Sequence, residues 1–133
     1  MAPLANRIEA FAVLVTAGTA QTAAVTTDVS FADGLVQRIE LDVPSGHVGL
    51  TGIQILSAKG QLIPYTFGTF LVANDHDFGW NMVGVIDTGS FQAKCFNADV
   101  FDHTFYLRFS VLDFAYATAA GRLDPLPPTP ALV

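Results

Sequence analysis

Phe105-Tyr106-Leu107-Arg108-Phe109-Ser110-Val111 sets a large apolar group at every second position, with Tyr106, Arg108 and Ser110 between them. Side chains alternate faces in an extended strand, so this stretch reads as a β-strand with one buried and one wet face. Arg38-Ile39-Glu40-Leu41-Asp42-Val43 repeats the pattern, with Ile39, Leu41 and Val43 inward. Past Val111 the phase slips. Leu112, Phe114 and Tyr116 then carry the large apolar groups, and Asp113, Ala115 and Ala117 take the other face. A β-bulge or a strand end accounts for such a slip.

Other segments are apolar on both faces. Residues 8–15 place Phe11, Val13 and Val15 on one side and Ile8, Ala10, Ala12 and Leu14 on the other. An outer strand of a monomeric antiparallel sheet keeps one polar face. This one therefore needs cover on both sides, from a second sheet or from a neighbouring subunit. Residues 49–56 and 67–72 share the property. Turn signals separate the runs: Ala32-Asp33-Gly34, Pro44-Ser45-Gly46, Lys59-Gly60, Asn74-Asp75 and Asp87-Thr88-Gly89. One helix-compatible stretch, residues 111–121, is shared with the strand reading. The pattern predicts an all-β chain: an antiparallel β-sandwich, jelly-roll-like, of about eight strands, ahead of a closed up-and-down barrel.

The expected organisation is a β-sandwich domain at residues 8–123 between an N-terminal arm, 1–7, and a Pro-rich C-terminal arm, 124–133. Pro125, Pro127, Pro128 and Pro130 remove backbone donors and favour extended geometry. Such an arm suits lying along a neighbour; the alternative is packing back on its own domain.

Hydrophobic residues make up 51% of the chain and charged residues 14%, against a usual charged share of about 25%. A solitary domain carries charge at about 25–35% of its surface positions. The shortage points to a surface covered by protein, and hence to a homo-oligomer. The net charge is −6, and Arg7, Arg38, Lys59, Lys94, Arg108 and Arg122 are scattered. That argues against direct nucleic-acid binding and against a polybasic membrane anchor. No run reaches the ~20 apolar residues of a membrane helix. Residues 10–15, preceded by Glu9, are too short for the core of a signal peptide. Cys95 is alone, which fits synthesis in a reducing cytoplasm.

Chemistry is sparse. Asn74-Asp75-His76-Asp77 offers hard ligands for calcium but matches no metal-site spacing, and reads as a polar loop making its own turn bonds. Asn97, Asp99, Asp102 and His103 could serve acid–base hydrolysis; as caps before the strand at 104–111 they need no cleft. His47, His76 and His103 lack ligand spacing, and no nucleophile elbow occurs. Cys95 reads as a strand-buried thiol. Gly46, Gly49 and Gly52, three apart, suit turns and bulges. Tyr65, Phe67, Phe70, Phe78 and Trp80 cluster in sequence. Trp80-Asn81 beside Asp75, His76 and Asp77 could form a sugar-stacking platform, although a single Trp in a sandwich is commonly core. No catalytic, cofactor-binding or metal residue is assigned.

Certain stretches resemble a family of small virion proteins of tailed bacteriophages. They are Thr16-Ala17-Gly18-Thr19-Ala20-Gln21, Val36-Gln37-Arg38-Ile39-Glu40, Ile63-Pro64-Tyr65-Thr66, and Asn97-Ala98-Asp99-Val100-Phe101-Asp102-His103-Thr104-Phe105-Tyr106-Leu107-Arg108-Phe109. The likeness spans residues 16–111 and leaves out the Pro-rich tail. It implies a non-enzymatic head or neck component, such as a capsid decoration or spike protein, and supplies no catalytic residues. The resulting expectation is a virion subunit made in the host cytoplasm. It would self-associate, with a trimer favoured, and dock on major capsid or neck proteins. The rival expectation is a glycan- or host-surface-binding jelly-roll module using Tyr65 and Trp80.

Overall fold

The computed structural model of the chain describes residues 6–82 and 89–112. Eight strands form the body: β1 (Asn6–Val15), β2 (Val25–Asp28), β3 (Leu35–Val43), β4 (Thr51–Ser57), β5 (Gly60–Ile63), β6 (His76–Asn81), β7 (Phe91–Asn97) and β8 (His103–Leu112). The one helical element among the described residues is a single 3₁₀ turn, Gln21–Ala23.

The strands pair antiparallel in two four-stranded sheets, ordered β1-β8-β3-β6 and β2-β7-β4-β5. The chain changes sheet at every connection except β4 to β5. That winding is the double Greek key of a jelly roll, and it excludes the up-and-down barrel.

The period-two patterns place the core as expected. Ile39, Leu41 and Val43 of β3 and Phe105, Leu107, Phe109 and Val111 of β8 point inward and are buried. They meet Ile53 and Ile55 of β4 and Phe91, Ala93 and Cys95 of β7 across the sandwich. Phe109 packs on Phe91 at 4.8 Å and on Phe31 at 5.0 Å between ring centres, which binds the two sheets at one end. The phase slip also has a physical basis. Val111 belongs to this core, while the adjacent Leu112 is buried in a separate pair with Leu35. The accompanying bulge lies in β3, between Val36 and Arg38, opposite Val111 and Ser110. Phe114, Tyr116 and the rest of residues 113–133 lie outside the described residues, as do Met1–Ala5 of the expected N-terminal arm and the Asp87-Thr88 turn. β1 begins at Asn6, two residues inside that arm.

Two expectations are corrected. Residues 67–72 are not a strand; they belong to a loop of residues 64–75 whose backbone pairs with β4 at a single isolated bridge, Leu71 to Ile53. Gln61 holds this loop back. Its Nε2 lies 2.8 to 3.1 Å from the carbonyl oxygens of Pro64, Thr66 and Thr69, and its Oε1 accepts from the Gly68 amide. These side-chain bonds replace a ladder. Gly52 is also not a turn residue. It lies inside β4, and a Cβ there would fall 2.1 Å from the Phe96 ring, so only glycine lets Phe96 and Phe70 close over the strand. Gly46 and Gly49 do turn the chain, with φ of 106° and 80°.

Candidate functional site

Three surfaces hold the chemistry. The first is the outer face of the β1-β8-β3-β6 sheet. Strand register puts Ile8 opposite Ser110, Ala10 opposite Arg108, Ala12 opposite Tyr106 and Leu14 opposite Thr104. Ile8 is 66% exposed and Leu14 60%, with Ala10 and Ala12 also exposed between them. The second sheet covers the Phe11, Val13 and Val15 face of β1, and among the described residues nothing covers the other.

Farther from β1 this face is charged and internally paired. Nε of Arg108 and Nε of Arg38 each donate to Glu40, one to each carboxylate oxygen at 3.1 Å. Hydrogen bonds from Arg108 and then Arg38 hold the Glu40 carboxyl below the ordinary range. Nη1 of Arg38 also donates to Asn81 Oδ1 at 2.9 Å. Asp42 and Asp77 are direct cross-strand partners. The hydrogen bond with Asp77, then burial, then the Asp77 charge push the Asp42 carboxyl up.

The second surface is the end of the sandwich where β1, β3 and β7 run out into loops. His47 is 1% exposed, with Nδ1 2.6 Å from Thr51 Oγ1 and Nε2 3.1 Å from the Thr104 carbonyl oxygen. A carbonyl only accepts, so Nε2 carries the proton and Nδ1 accepts from the hydroxyl. Burial first, and the neighbouring His103 second, push the His47 pKa down. His103 Nε2 meets Asp99 Oδ2 at 2.8 Å, and this bond, followed by the Val100 amide, holds the Asp99 carboxyl down. Asn97 is fully buried. Its Nδ2 donates to the carbonyls of Val15 and Phe101, and its Oδ1 accepts from the Asp99 amide. Asp102 Oδ1 accepts from the Ala17 amide. Apart from the His103–Asp99 pair, the side chains of Asn97, Asp99 and Asp102 thus spend their hydrogen bonds on backbone, as capping residues do.

Asn74 departs from its expected role. Its Oδ1 accepts from the Gly46 and Val48 amides, so it fastens the β3–β4 loop rather than its own turn. That loop holds Val48 at a φ of 43°, a conformation that β-branched residues avoid. Val48, Leu50, Val100 and Phe101 stand exposed on the two loops, which are joined by the Ala98 amide donating to the Leu50 carbonyl. Sequence reasoning left His47 without partners and did not single out these apolar residues. The Gly46-His47-Val48-Gly49 spacing was the one local signal of an unusual loop.

The third surface is a groove of about 330 Å³ between β5 and β6, lined by Leu62, Pro64, Tyr65, Leu71, Trp80 and Met82 among others. His76, Phe78 and Trp80 form a ladder along one face of β6. Phe78 stacks on Trp80 at 5.6 Å with planes 2° apart, and His76 meets Phe78 at 4.4 Å. Trp80 is half-buried against the core, whereas Tyr65 is 96% exposed. Asp75 and Asp77 do not line this groove.

Among the described residues no group of three or more His, Cys, Asp or Glu side chains converges as a metal site would require. Cys95 is buried, and burial pushes its thiol up to about 12, which suits an inert core residue.

No family model matches the sequence, and no curated protein matches it. Among solved structures, one similar chain is found in a structure of infectious bursal disease virus Gx strain, at 11% identity and a TM-score of 0.36. The match covers 80% of this chain and 32% of that one, so this chain spans about a third of its length.

Proposed function

We propose that the protein is a non-enzymatic structural subunit of a virion, of the tailed-phage capsid-decoration, head-spike or neck type. It acts by self-association and by docking on other virion proteins such as the major capsid or neck proteins. The carrying observation is the outward face of β1, where Ile8, Ala10, Ala12 and Leu14 stand in solvent on a rigid sheet. Burying such a face against protein is favourable, and leaving it wet on a lone subunit invites association. The phage placement rests on the sequence resemblance, and the jelly roll is a fold that viral shells use among other proteins.

Light scattering after size exclusion tests the assembly. A dimer or larger species supports it, and a clean 14.2 kDa monomer at every concentration sinks it. Deleting residues 124–133 tests the tail: assembly weakens with the fold intact, whereas full incorporation of the truncated chain removes the clasping role.

A second reading, a glycan- or host-surface-binding module, is favoured by one observation: Tyr65 and Trp80 line the same groove. Stacking of a sugar ring there would require both aromatic faces.

A further inference from the structure

Among the described residues four strands end the two sheets: β1 and β6 in one, β2 and β5 in the other. An end strand presents unpaired N–H and C=O groups, and natural proteins guard such edges with short strands, bulges, proline or charge. β2 and β5 have four residues each. β6 has six, with exposed His76 and Asp77 on it. β1 has ten residues in unbroken register with β8, no proline and no lysine. Its charges sit at one end, where Arg7 Nε donates to Glu9 at 2.8 Å. Among the described residues it is the longest end strand, and residues 10–15 of it carry no charge.

We infer that β1 is the site at which a second copy of this chain adds edge to edge, the two β1 strands running antiparallel about a twofold axis at Phe11. This rests on the assembly reading above, and because a threefold ring contains no twofold axis it gives an even-numbered oligomer in place of the expected trimer. Such an isologous contact demands a surface complementary to itself. The exposed residues of β1 read large-small-small-large: Ile8, Ala10, Ala12, Leu14. About Phe11 the pattern is its own reverse. Ile8 meets Leu14 of the partner subunit, Ala10 meets the partner's Ala12, and no charge is buried on that face.

Two segments outside the described residues are poor partners for this edge by composition. The tail at 124–133 carries Pro125, Pro127, Pro128 and Pro130, none of which can donate to a ladder. Residues 1–5 are too few to pair along ten and include Pro3. A second β1 supplies a full complement of donors and acceptors.

The test uses the full chain with Ile8→Cys and Leu14→Cys together. Both positions are exposed, so the fold is undisturbed, and thermal melting checks that. Residues directly opposed on antiparallel strands lie about 4.5–5.5 Å apart, within disulfide reach. Six residues along a strand is about 20 Å, so Leu14→Cys alone cannot bridge to its own copy in this register. The native Cys95 is buried and does not compete. The expected result is a covalent dimer of the double variant on oxidation, and none of the single variant. The edge inference is overturned if the double variant stays uncross-linked, or if the single variant cross-links as well. Wild-type mass separates the two levels: an assembled wild type without the cross-link removes the edge contact and leaves the assembly reading standing. A monomeric wild type without the cross-link removes both.

Discussion

The ring of His47 lies 4.5 Å from the ring of His103, yet the two play different parts. His47 is buried between Thr51 and the Thr104 carbonyl, whereas His103 reaches outward to Asp99. The loop at 44–50 meets the start of β8 through this contact.

Acid should loosen that end. Burial keeps His47 neutral in the fold to a lower pH than in the unfolded chain. As pH falls through about 6.5 the unfolded state takes up the proton and the folded state does not, so stability is lost on the acid side. Thermal melts between pH 8 and pH 5 are expected to show Tm falling below about pH 6.5. His47→Gln should be less stable at pH 8 and flatten that slope. An unchanged slope in the variant would assign the acid loss to other groups.

Asn97→Ala should be costly. It removes three hydrogen bonds from a fully buried amide and strands the Val15 and Phe101 carbonyls and the Asp99 amide. Each buried polar group left unpaired costs about 1–3 kcal/mol, so a loss of about 2–4 kcal/mol is expected in urea unfolding. A loss under about 0.5 kcal/mol would mean that water replaces the amide freely.

Trp80→Ala and Tyr65→Ala separate packing from binding. Trp80 stacks on Phe78 and packs against the core, so its truncation should cost about 2 kcal/mol, less than the 3–5 of a fully buried aromatic. Tyr65 is exposed and should leave Tm unchanged. If neither variant alters binding to a panel of glycans or host surface fragments, the binding-module reading loses its groove. If Tyr65→Ala abolishes such binding at unchanged Tm, that reading gains the residue it needs.

Much of the core was legible in the chain. The alternation of Phe105, Leu107, Phe109 and Val111, and of Ile39, Leu41 and Val43, specifies strands and their inward faces, because strand geometry turns every second side chain the same way. The doubly apolar character of residues 8–15 was equally plain. The loop at 64–75 was not. Apolar residues at 67–72 look like a strand, and only Gln61 and Gln54, drawing in the carbonyls around Thr69, show why the segment stays off the ladder.

The sequence by itself determined the strand period, the buried faces of β3 and β8 and the shortage of charge, since each depends on local side-chain order and composition. The tertiary structure alone decided that β1 ends its sheet with Ile8 and Leu14 in solvent. It also brought Asn97 to Val15, Asn74 to Gly46, and His47 to Thr104, residues 82, 28 and 57 positions apart. Local periodicity selects an extended conformation, but which strands become neighbours depends on contacts between segments far apart in the chain.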